Sequence, residues 1–394
     1  MSRNRGGGTD LAVFVATLNA LCGVPDELAI HTVRRMTGAA LLLACLWGVA
    51  AQGPGLCQSA VHASRPASNL KLDSYIQVRY TDDDIAGNYI SVRRAKAMFT
   101  WDPAPGWRVY VQALFKDGNR AINDGRLWVQ ELWARRRAGG GWLTLGQFKP
   151  PFGMERFTAD SSLDTIDRSQ PTDRLIPNGG LAKSFGRDVG IQWECDCKNS
   201  GWMMAAGIFK GDGALSEPYG GNGPLLAGRA THRWKLAKRD WVHLGLAVSA
   251  RRDRDIDFSG ALPGTKSLGT NHLHGSDTRW GLEAAADTGR WRFRSEYLAA
   301  HLSGASGQHE ITATGWYAQA TYVLNRHWEV VAKHEALDPN TGIVDRYDIG
   351  WTTLGTNWLI HGHREKVQVD YVIKRDRPGA ASDNTLLIQF QRYL

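Results

Sequence analysis

Apolar and polar side chains alternate with a period of two along most of the chain after about residue 68. In residues 241–250, Val242, Leu244, Leu246 and Val248 share one face, and polar or small side chains occupy the positions between them. Strict alternation of this kind predicts β-strands with one apolar and one polar face. Because no part of this region shows a long helical period, an all-β fold is expected.

The alternating region divides into sixteen candidate strands. They begin near Leu70, Tyr89, Trp107, Gly125, Trp142, Gly186, Trp202, Leu226, Trp241, Arg279, Trp291, Gly315, Trp328, Trp351, Arg364 and Thr385. The fourth strand is less regular than the others, since Trp128 and Trp133 have opposite parity. This predicts either a β-bulge or a different boundary in that strand.

The connections between the candidate strands alternate in length. Those after even-numbered strands are short, such as "DPAPG" and "DTGR", whereas several after odd-numbered strands are long, at 149–185, 211–225, 251–278 and 338–350. Short turns at one end and long loops at the other are typical of a transmembrane antiparallel β-barrel of the outer-membrane type. A soluble sandwich with Greek-key links does not require this rhythm.

Tryptophan is abundant, with 16 residues, and most of them stand beside predicted turns or just after long loops. An indole ring combines an apolar surface with one N–H donor and prefers the boundary between lipid and water. The positions therefore predict two aromatic girdles on a lipid-facing barrel. The alternative is a soluble core, which would not concentrate Trp beside turns. The residues concerned are Trp101, Trp107, Trp128, Trp133, Trp142, Trp193, Trp202, Trp234, Trp241, Trp280, Trp291, Trp316, Trp328, Trp351 and Trp358.

The N-terminal part has the pattern of an export signal. Arg34 and Arg35 precede an apolar run over residues 39–51, which is short for a membrane span but suits a signal peptide. Cleavage is expected after Ala51 or Ala63. Residues 1–63 are thus predicted to be an N-terminal extension and signal peptide, and residues 64–394 the β-barrel. A buried helix in a cytosolic protein is the alternative. No later apolar run approaches eighteen residues, which excludes a helical membrane protein.

A barrel of about sixteen strands is wide enough to enclose water. In such a barrel the polar face of each strand lines the lumen, and an irregular segment is tolerated there because its backbone can be hydrated. The long connection at 149–185 is the third on the loop side, and Pro150-Pro151 end the preceding strand. We therefore expect a long inward-folded third external loop that narrows the channel.

The charge of the chain leans basic, with a formal net charge of +8. The loop carries balanced charges, and its candidate solute-binding cations are Lys149, Arg156, Arg168, Arg174, Lys183 and Arg187. By parity, further cations line the wall, among them Arg94, Lys96, Arg108, Arg229, Arg292 and Arg294. Rings of Arg and Lys favour anions in a pore. The alternative is that these charges stiffen the wall as ion pairs, with Glu283 and Glu296 as partners for Arg229, Arg292 and Arg294.

Other chemistry is weakly represented. The five Cys residues exclude a disulfide-dense scaffold, and Cys195-Asp-Cys197 and His361-Gly-His363 lack the further ligands that a metal site needs. No phosphate-binding loop, hydrolase or metalloprotease motif is present, and no nucleic-acid module is found. No cofactor, no metal, no catalytic residue and no nucleic-acid partner are therefore expected.

Several segments resemble a known family. "GQFKPPFGMERF", "IDRS" and "FGRDVGIQWE", followed in order by "LAGRATHRW", "WGLEAAADTGRWRFRSEYL", "GWYAQATYVL" and "LGTNWLI", are similar to the phosphate-selective porin O and P family over residues 68–394. This resemblance implies a sixteen-stranded barrel in the outer membrane, usually a homotrimer, that passes anions by diffusion. It also implies that lumenal Arg and Lys bind phosphate or polyphosphate.

The expected function is accordingly that of a porin for small anions such as phosphate, embedded in outer-membrane lipid. Two alternatives remain. One is a general or oligosaccharide-permeable porin, in which Tyr75, Tyr110 and Tyr317 would serve as sliding surfaces. The other is an exported all-β carbohydrate-active enzyme, which would need two carboxylates close together in a cleft.

Overall fold

In a computed structural model, sixteen β-strands follow one another along the chain. The structure describes residues 69–117, 127–178, 186–197, 200–214, 222–237, 239–257, 272–304, 310–344, 347–376 and 383–394. The predicted extension and signal peptide, residues 1–63, and the loop cation Lys183 lie outside the described residues. No helix in the described part of the chain is long and apolar enough to cross a membrane.

The strands begin close to the predicted positions, with the tenth as the exception: it starts at His272 rather than near Arg279. The strands are β1 Asn69–Asp83, β2 Gly87–Asp102, β3 Trp107–Asp117, β4 Trp128–Ala138, β5 Gly141–Phe148, β6 Asp188–Cys197, β7 Trp202–Phe209, β8 Leu225–Lys235, β9 Trp241–Asp257, β10 His272–Thr288, β11 Trp291–Gly304, β12 Ile311–Val323, β13 Trp328–Asp338, β14 Ile349–Leu359, β15 Glu365–Asp376 and β16 Asp383–Tyr393.

The strands form one closed antiparallel barrel. Each strand pairs with its neighbours in sequence, and β1 closes the ring by pairing with β16, where Val78 lies opposite Phe390. Closure leaves no unpaired sheet edge. The predicted all-β class, the sixteen strands and the antiparallel barrel are confirmed.

The two faces of the wall follow the predicted alternation. On β9, Leu244, Leu246 and Val248 are about half exposed on the outward face, whereas Ala247 and Ser249 are buried on the inward face. The exposed face is apolar and the buried face is largely polar, which is the reverse of a soluble protein and the arrangement of a barrel surrounded by lipid.

The lengths of the connections alternate between short and long, with two departures from the predicted lengths. Gly139–Gly140 alone joins β4 to β5, whereas residues 149–187 lie between β5 and β6. The connection after β1 is short, only Asp84–Ala86, and β9 and β10 extend far into the predicted 251–278 loop, leaving 258–271 between them. We call the end with the short even-numbered connections the turn end and the opposite end the loop end.

Register shifts occur at four strand pairs of the described barrel, and two of them place an extra polar side chain on the inward face. The β1–β2 register shifts at Gln77/Val78, so that Arg93 is an extra residue and both Arg93 and Arg94 are buried. The β3–β4 register shifts in the same way, with Gln130 as the extra residue. The irregularity predicted in the fourth strand is therefore a bulge.

Most tryptophans lie exposed on the outward face, and all of these except Trp280, in the middle of β10, stand within a few residues of a strand end, as expected for aromatic girdles. These are Trp107, Trp193, Trp202, Trp234, Trp280, Trp291, Trp316, Trp328 and Trp358. Four others depart from the prediction. Trp142 and Trp241 share the inward parity of their strands, Trp133 packs with buried Phe148, and Trp351 packs against buried Ile166.

Candidate functional site: the inward wall and the β5–β6 segment

Residues 149–187, which we call the β5–β6 segment, contain little regular structure where they are described, at 149–178 and 186–187. In this described part, two short 3-10 turns, Glu155–Phe157 and Asp160–Ser162, precede a short helix, α1, at Gln170–Leu175. Ser169 caps this helix by accepting a hydrogen bond from the Thr172 amide. The backbone N–H and C=O groups of such a segment need hydrogen-bond partners other than a neighbouring strand.

Asp167 of the segment binds two arginines of the wall. Its two carboxylate oxygens accept hydrogen bonds of 2.9 Å from both terminal nitrogens of Arg79 on β1, and Arg93 on β2 approaches to 3.3 Å. Burial opposes ionisation of this carboxyl, but Arg79 and Arg93 hold the pKa of Asp167 far below its usual value. The bidentate pairing is the strong form of an Arg–carboxylate contact.

Asp160 makes a second contact of the same kind. Its carboxylate accepts a hydrogen bond from Lys96 on β2, lies 3.8 Å from Arg94, and binds Arg168 of the segment itself at 2.8 Å. Burial again opposes ionisation, but Lys96 and Arg94 keep the pKa of Asp160 well below its usual value. The carboxylate is therefore ionised at neutral pH and attaches the segment to β2.

Asp164 contacts the opposite side of the wall. It accepts hydrogen bonds of 2.8 Å from Arg292 on β11 and Thr321 on β12, and one of 3.2 Å from Gln319. Arg292 also forms a bidentate pair with Glu329 on β13, with both distances 2.8 Å. Three aspartates of the segment thus bind strands that lie far apart around the ring.

The wall in turn binds the backbone of the segment. Glu296 on β11 accepts hydrogen bonds from the amides of Met154 and Glu155, Glu335 on β13 accepts one from Gln170, and Asp370 on β15 accepts one from Ile166. These carboxylates supply acceptors for amides that no strand or long helix satisfies.

An apolar contact completes the attachment. Leu175 and Ile176 at the end of α1 are buried against Leu298 and Ala313 of β11 and β12. Gly315 on β12 leaves the space: a Cβ there would lie 2.9 Å from Pro171 of α1. The inward face of β11 and β12 is therefore apolar where α1 packs on it.

The predicted loop cations serve mainly to hold the segment. Arg168 donates to the carbonyls of Glu155 and Thr158, and Arg187 forms an ion pair of 2.7 Å with Glu131 on β4. Arg174 donates to Gln170 at 3.1 Å within α1. Their placement supports the alternative in which charges stiffen the structure.

Lys149 and Arg156 lie close to each other and to Arg187. Lys149 donates a hydrogen bond of 2.9 Å to the Arg156 carbonyl. Burial, followed by the charge of Arg187, lowers the pKa of Lys149 well below that of an ordinary lysine, and the same two causes lower the pKa of Arg156. Burial and the nearby like charges therefore disfavour the charged forms of both side chains.

The predicted wall cations are paired, though not all with the expected partners. Arg229 forms a bidentate pair with Glu283 at 2.6 and 3.0 Å, as expected. The expected pairing of Arg292 and Arg294 with Glu296 is wrong, because Glu296 binds the segment. The observed pairs of the wall cations are Arg94 and Lys96 with Asp160, Arg108 with Asp102, Arg292 with Glu329 and Asp164, and Arg294 with Asp287.

A cavity of about 690 Å³ lies at the turn end between the segment and strands β7–β11. Four cations line it, and no carboxylate is among the lining residues: Arg229, Arg233, Lys235 and Arg294. Arg233 and Lys235 are exposed and have no carboxylate partner among the described residues. Lys235 was not singled out from the sequence, although its parity with Arg229 and Arg233 on β8 would have placed it inward.

A second cavity of about 260 Å³ adjoins the first, sharing Met154, Thr158 and Arg294.

The tyrosines proposed as sliding surfaces are mostly inaccessible. Tyr75 and Tyr317 are buried, with 3% and 1% of their surface exposed. Tyr110 is half-buried and stacks on Trp133 with ring centroids 5.1 Å apart.

The two candidate metal motifs lie at the turn end. The sulfur atoms of Cys195 and Cys197 are 2.8 Å apart, and His361 contacts Glu365 at 2.8 Å. Within the described ranges, no group of three or more His, Cys, Asp or Glu side chains could hold a metal ion.

The sequence of the chain is similar to that of a known protein family. The sequence model of the family described as phosphate-selective porin O and P matches residues 74–392. No curated protein sequence matches the chain.

Solved structures share the fold at low sequence identity. The in-vitro folded, trimeric form of OmpT, an outer membrane protein of Vibrio cholerae, has a TM-score of 0.57 and 12% identity, covering 84% of this chain and 100% of that chain. The outer membrane channel DcaP of Acinetobacter baumannii has a TM-score of 0.57 and 10% identity, covering 83% and 97%. Pseudomonas putida OprB has a TM-score of 0.56 and 10% identity, covering 83% and 94%.

Proposed function

The chain belongs to the phosphate-selective porin O and P family and is a porin of the outer membrane, and on that premise we propose that it is a passive channel for small anions, phosphate among them. The family and the barrel favour a channel over an enzyme. Arg and Lys of the lumen would then guide solutes electrostatically and would take no part in a reaction.

One observation supports anion selectivity above the others. The turn-end cavity is lined by four cations and by no carboxylate, and Arg233 and Lys235 are exposed to it without a carboxylate partner among the described residues. A cleft lined by one sign of charge raises the local concentration of counter-ions. The paired cations elsewhere on the wall contribute less, because their carboxylate partners cancel their field.

We propose further that the β5–β6 segment folds into the lumen as the third external loop and constricts the channel. The hydrogen bonds that Asp160, Asp164 and Asp167 accept from strands on different sides of the ring support this. Solutes would then pass between the segment and the wall of β7–β11, where the basic cavity lies.

Selectivity is tested by measuring the reversal potential of the purified protein in a planar bilayer under a potassium chloride gradient. We expect preference for chloride over potassium, and a reduced chloride current when phosphate is added. The double variant Arg233→Gln with Lys235→Gln is expected to move the reversal potential toward that of an unselective pore.

The matched control is Arg326→Gln, which removes an exposed cation from the β12–β13 turn outside the cavity. It should keep the wild-type reversal potential. Preference for potassium in the wild type would contradict anion selectivity and leave the porin assignment standing.

We also propose a homotrimer, since one of the barrels of similar fold is a trimer form. Light scattering of the detergent-solubilised protein tests this, and a mass of one chain would contradict it.

Residues 1–63 are proposed as the extension and signal peptide and 64–394 as the barrel. N-terminal sequencing of protein isolated from the outer membrane tests that boundary.

A further inference from the structure

Trp241 faces the inside of the barrel at the turn end, where a lipid-facing indole was expected. It has the same parity on β9 as buried His243, opposite to the exposed Leu244. Two guanidinium groups contact its ring: that of Arg233 lies 4.3 Å from the ring centroid and that of Arg294 lies 5.1 Å from it. The indole thus holds two cations beside the cavity by cation–π contacts.

Phe157 presents a second aromatic ring to the same cavity from the β5–β6 segment. Its side chain is 40% exposed although most of its neighbours in the segment are buried. The guanidinium of Arg229 lies 5.2 Å from its ring centroid and the ammonium of Lys149 lies 5.8 Å from it. A large apolar ring left open to water in a polar lumen marks a place where an apolar partner can be bound.

The remaining lining is of mixed character. Met154 and Met203 add apolar surface to that of Phe157 and Trp241. The volume, about 690 Å³, lies in the range of small-molecule sites. A cavity that only attracted inorganic anions would need the cations but not the apolar surface between them.

We propose that this cavity is a binding site for organic anions that carry an aromatic ring, such as aryl carboxylates, as they pass through the channel. The carboxylate would accept paired hydrogen bonds from the guanidinium group of Arg233. The aromatic ring of the solute would stack on Phe157 or Trp241, which prefer offset or edge-to-face contacts with another ring. Acetate and phosphate would gain the first contact and not the second. This inference rests on the proposed anion channel and specifies its solute.

The test compares benzoate with acetate as inhibitors of the chloride current through the wild-type protein in a planar bilayer. Both are monocarboxylates, so the difference reports the ring. Stacking contacts should make the half-inhibiting concentration of benzoate about tenfold lower than that of acetate. Phe157→Leu and Trp241→Leu keep apolar volume but remove the ring, and each should bring the benzoate-to-acetate ratio closer to one.

The control is Trp358→Leu, which removes an indole from the outward face. Trp358 is 43% exposed, close to the 40% of Phe157. It should keep the wild-type ratio. Equal inhibition by benzoate and acetate in a wild-type channel that still prefers chloride would overturn this inference alone. A wild-type channel that prefers potassium would overturn the proposed anion channel as well. If Trp241→Leu does not insert, the wild-type ratio and the Phe157→Leu variant still decide.

Discussion

Two carboxylates of the β5–β6 segment each meet two cations of the wall. Asp167 lies between Arg79 and Arg93, and Asp160 contacts Lys96 and Arg94. In each case the segment supplies one charge and two wall groups share it. Because a buried charge is costly without a partner, removing one of these aspartates would leave two cations to be compensated. The balanced charge of the segment is therefore used for attachment, and exposed positive charge without a carboxylate partner among the described residues remains at Arg233 and Lys235.

The lowered pKa of Lys149 predicts that the selectivity of the channel depends on pH. Burial and the nearby Arg187 lower its pKa, so its ammonium group loses the proton at a lower pH than the usual value of about 10.4. The preference for chloride over potassium should therefore fall as the pH is raised toward 10, and the fall should be complete below the pH at which an ordinary lysine titrates. Lys149→Met should lack this fall and show the lower preference throughout, with a weaker pH dependence.

Reversal potentials measured across this pH range provide the check. Lys71→Met is the matched control, since Lys71 is a largely exposed lysine paired with Asp73, and it should keep the wild-type pH dependence. A selectivity in the wild type that does not change up to pH 10 would show that Lys149 carries no charge that solutes sense.

At the scale of elements, the β5–β6 segment is attached to the wall by carboxylates from both partners and by apolar contacts of Ile166 and of α1. The apolar contact of α1 occupies the inward face of β11 and β12, where Leu298 and Ala313 replace the polar side chains found elsewhere. Helix α1 has only six residues and would not be stable alone. Its conformation depends on the wall against which it packs.

Gly315→Leu tests this attachment. A Cβ at Gly315 would lie 2.9 Å from Pro171, and overpacking of this kind costs about 1–3 kcal/mol. We expect α1 to move away from β12, so that the single-channel conductance rises and becomes noisier. Heat-modifiable migration in a denaturing gel should show that the barrel still folds.

The control for this substitution is Gly350→Leu on β14, where the nearest atom to a Cβ is the Arg375 carbonyl oxygen at 3.7 Å. Its conductance should match that of the wild type. An unchanged conductance in Gly315→Leu would mean that α1 does not contribute to the constriction.

At the scale of the whole molecule, closure of the ring and alternation of the strands act together. Pairing of β1 with β16 satisfies the last edge, and every strand then presents apolar side chains outward. Backbone groups within hydrocarbon have no water to bind, so a closed barrel is one of the two architectures that can cross it.

Leu246→Arg tests whether the outward face meets lipid. Leu246 lies within β9, about half exposed, and a cation near the middle of the bilayer costs a barrel about 2–4 kcal/mol. Leu236→Arg places the same charge in the β8–β9 turn, where the cost should be about 0–1 kcal/mol. The free energy of unfolding from lipid vesicles in denaturant measures both. Equal costs at the two positions would contradict a lipid-facing band.

The sequence by itself determined the features that depend on local periodicity. Alternation of period two assigns each side chain to a face of its strand, and the alternating lengths of the connections indicate an antiparallel barrel. The strand number, the barrel and a set of inward cations could therefore be predicted. These cations are Arg94, Lys96, Arg229, Arg292 and Arg294. Only the tertiary structure decided which charges remain unpaired. Parity says which way a side chain points and not what lies opposite it: Arg79 and Asp167 are far apart in sequence and meet because the ring is closed. The bulge at Arg93 and the partner of Glu296 depend on register and packing across the barrel, and no local pattern encodes them.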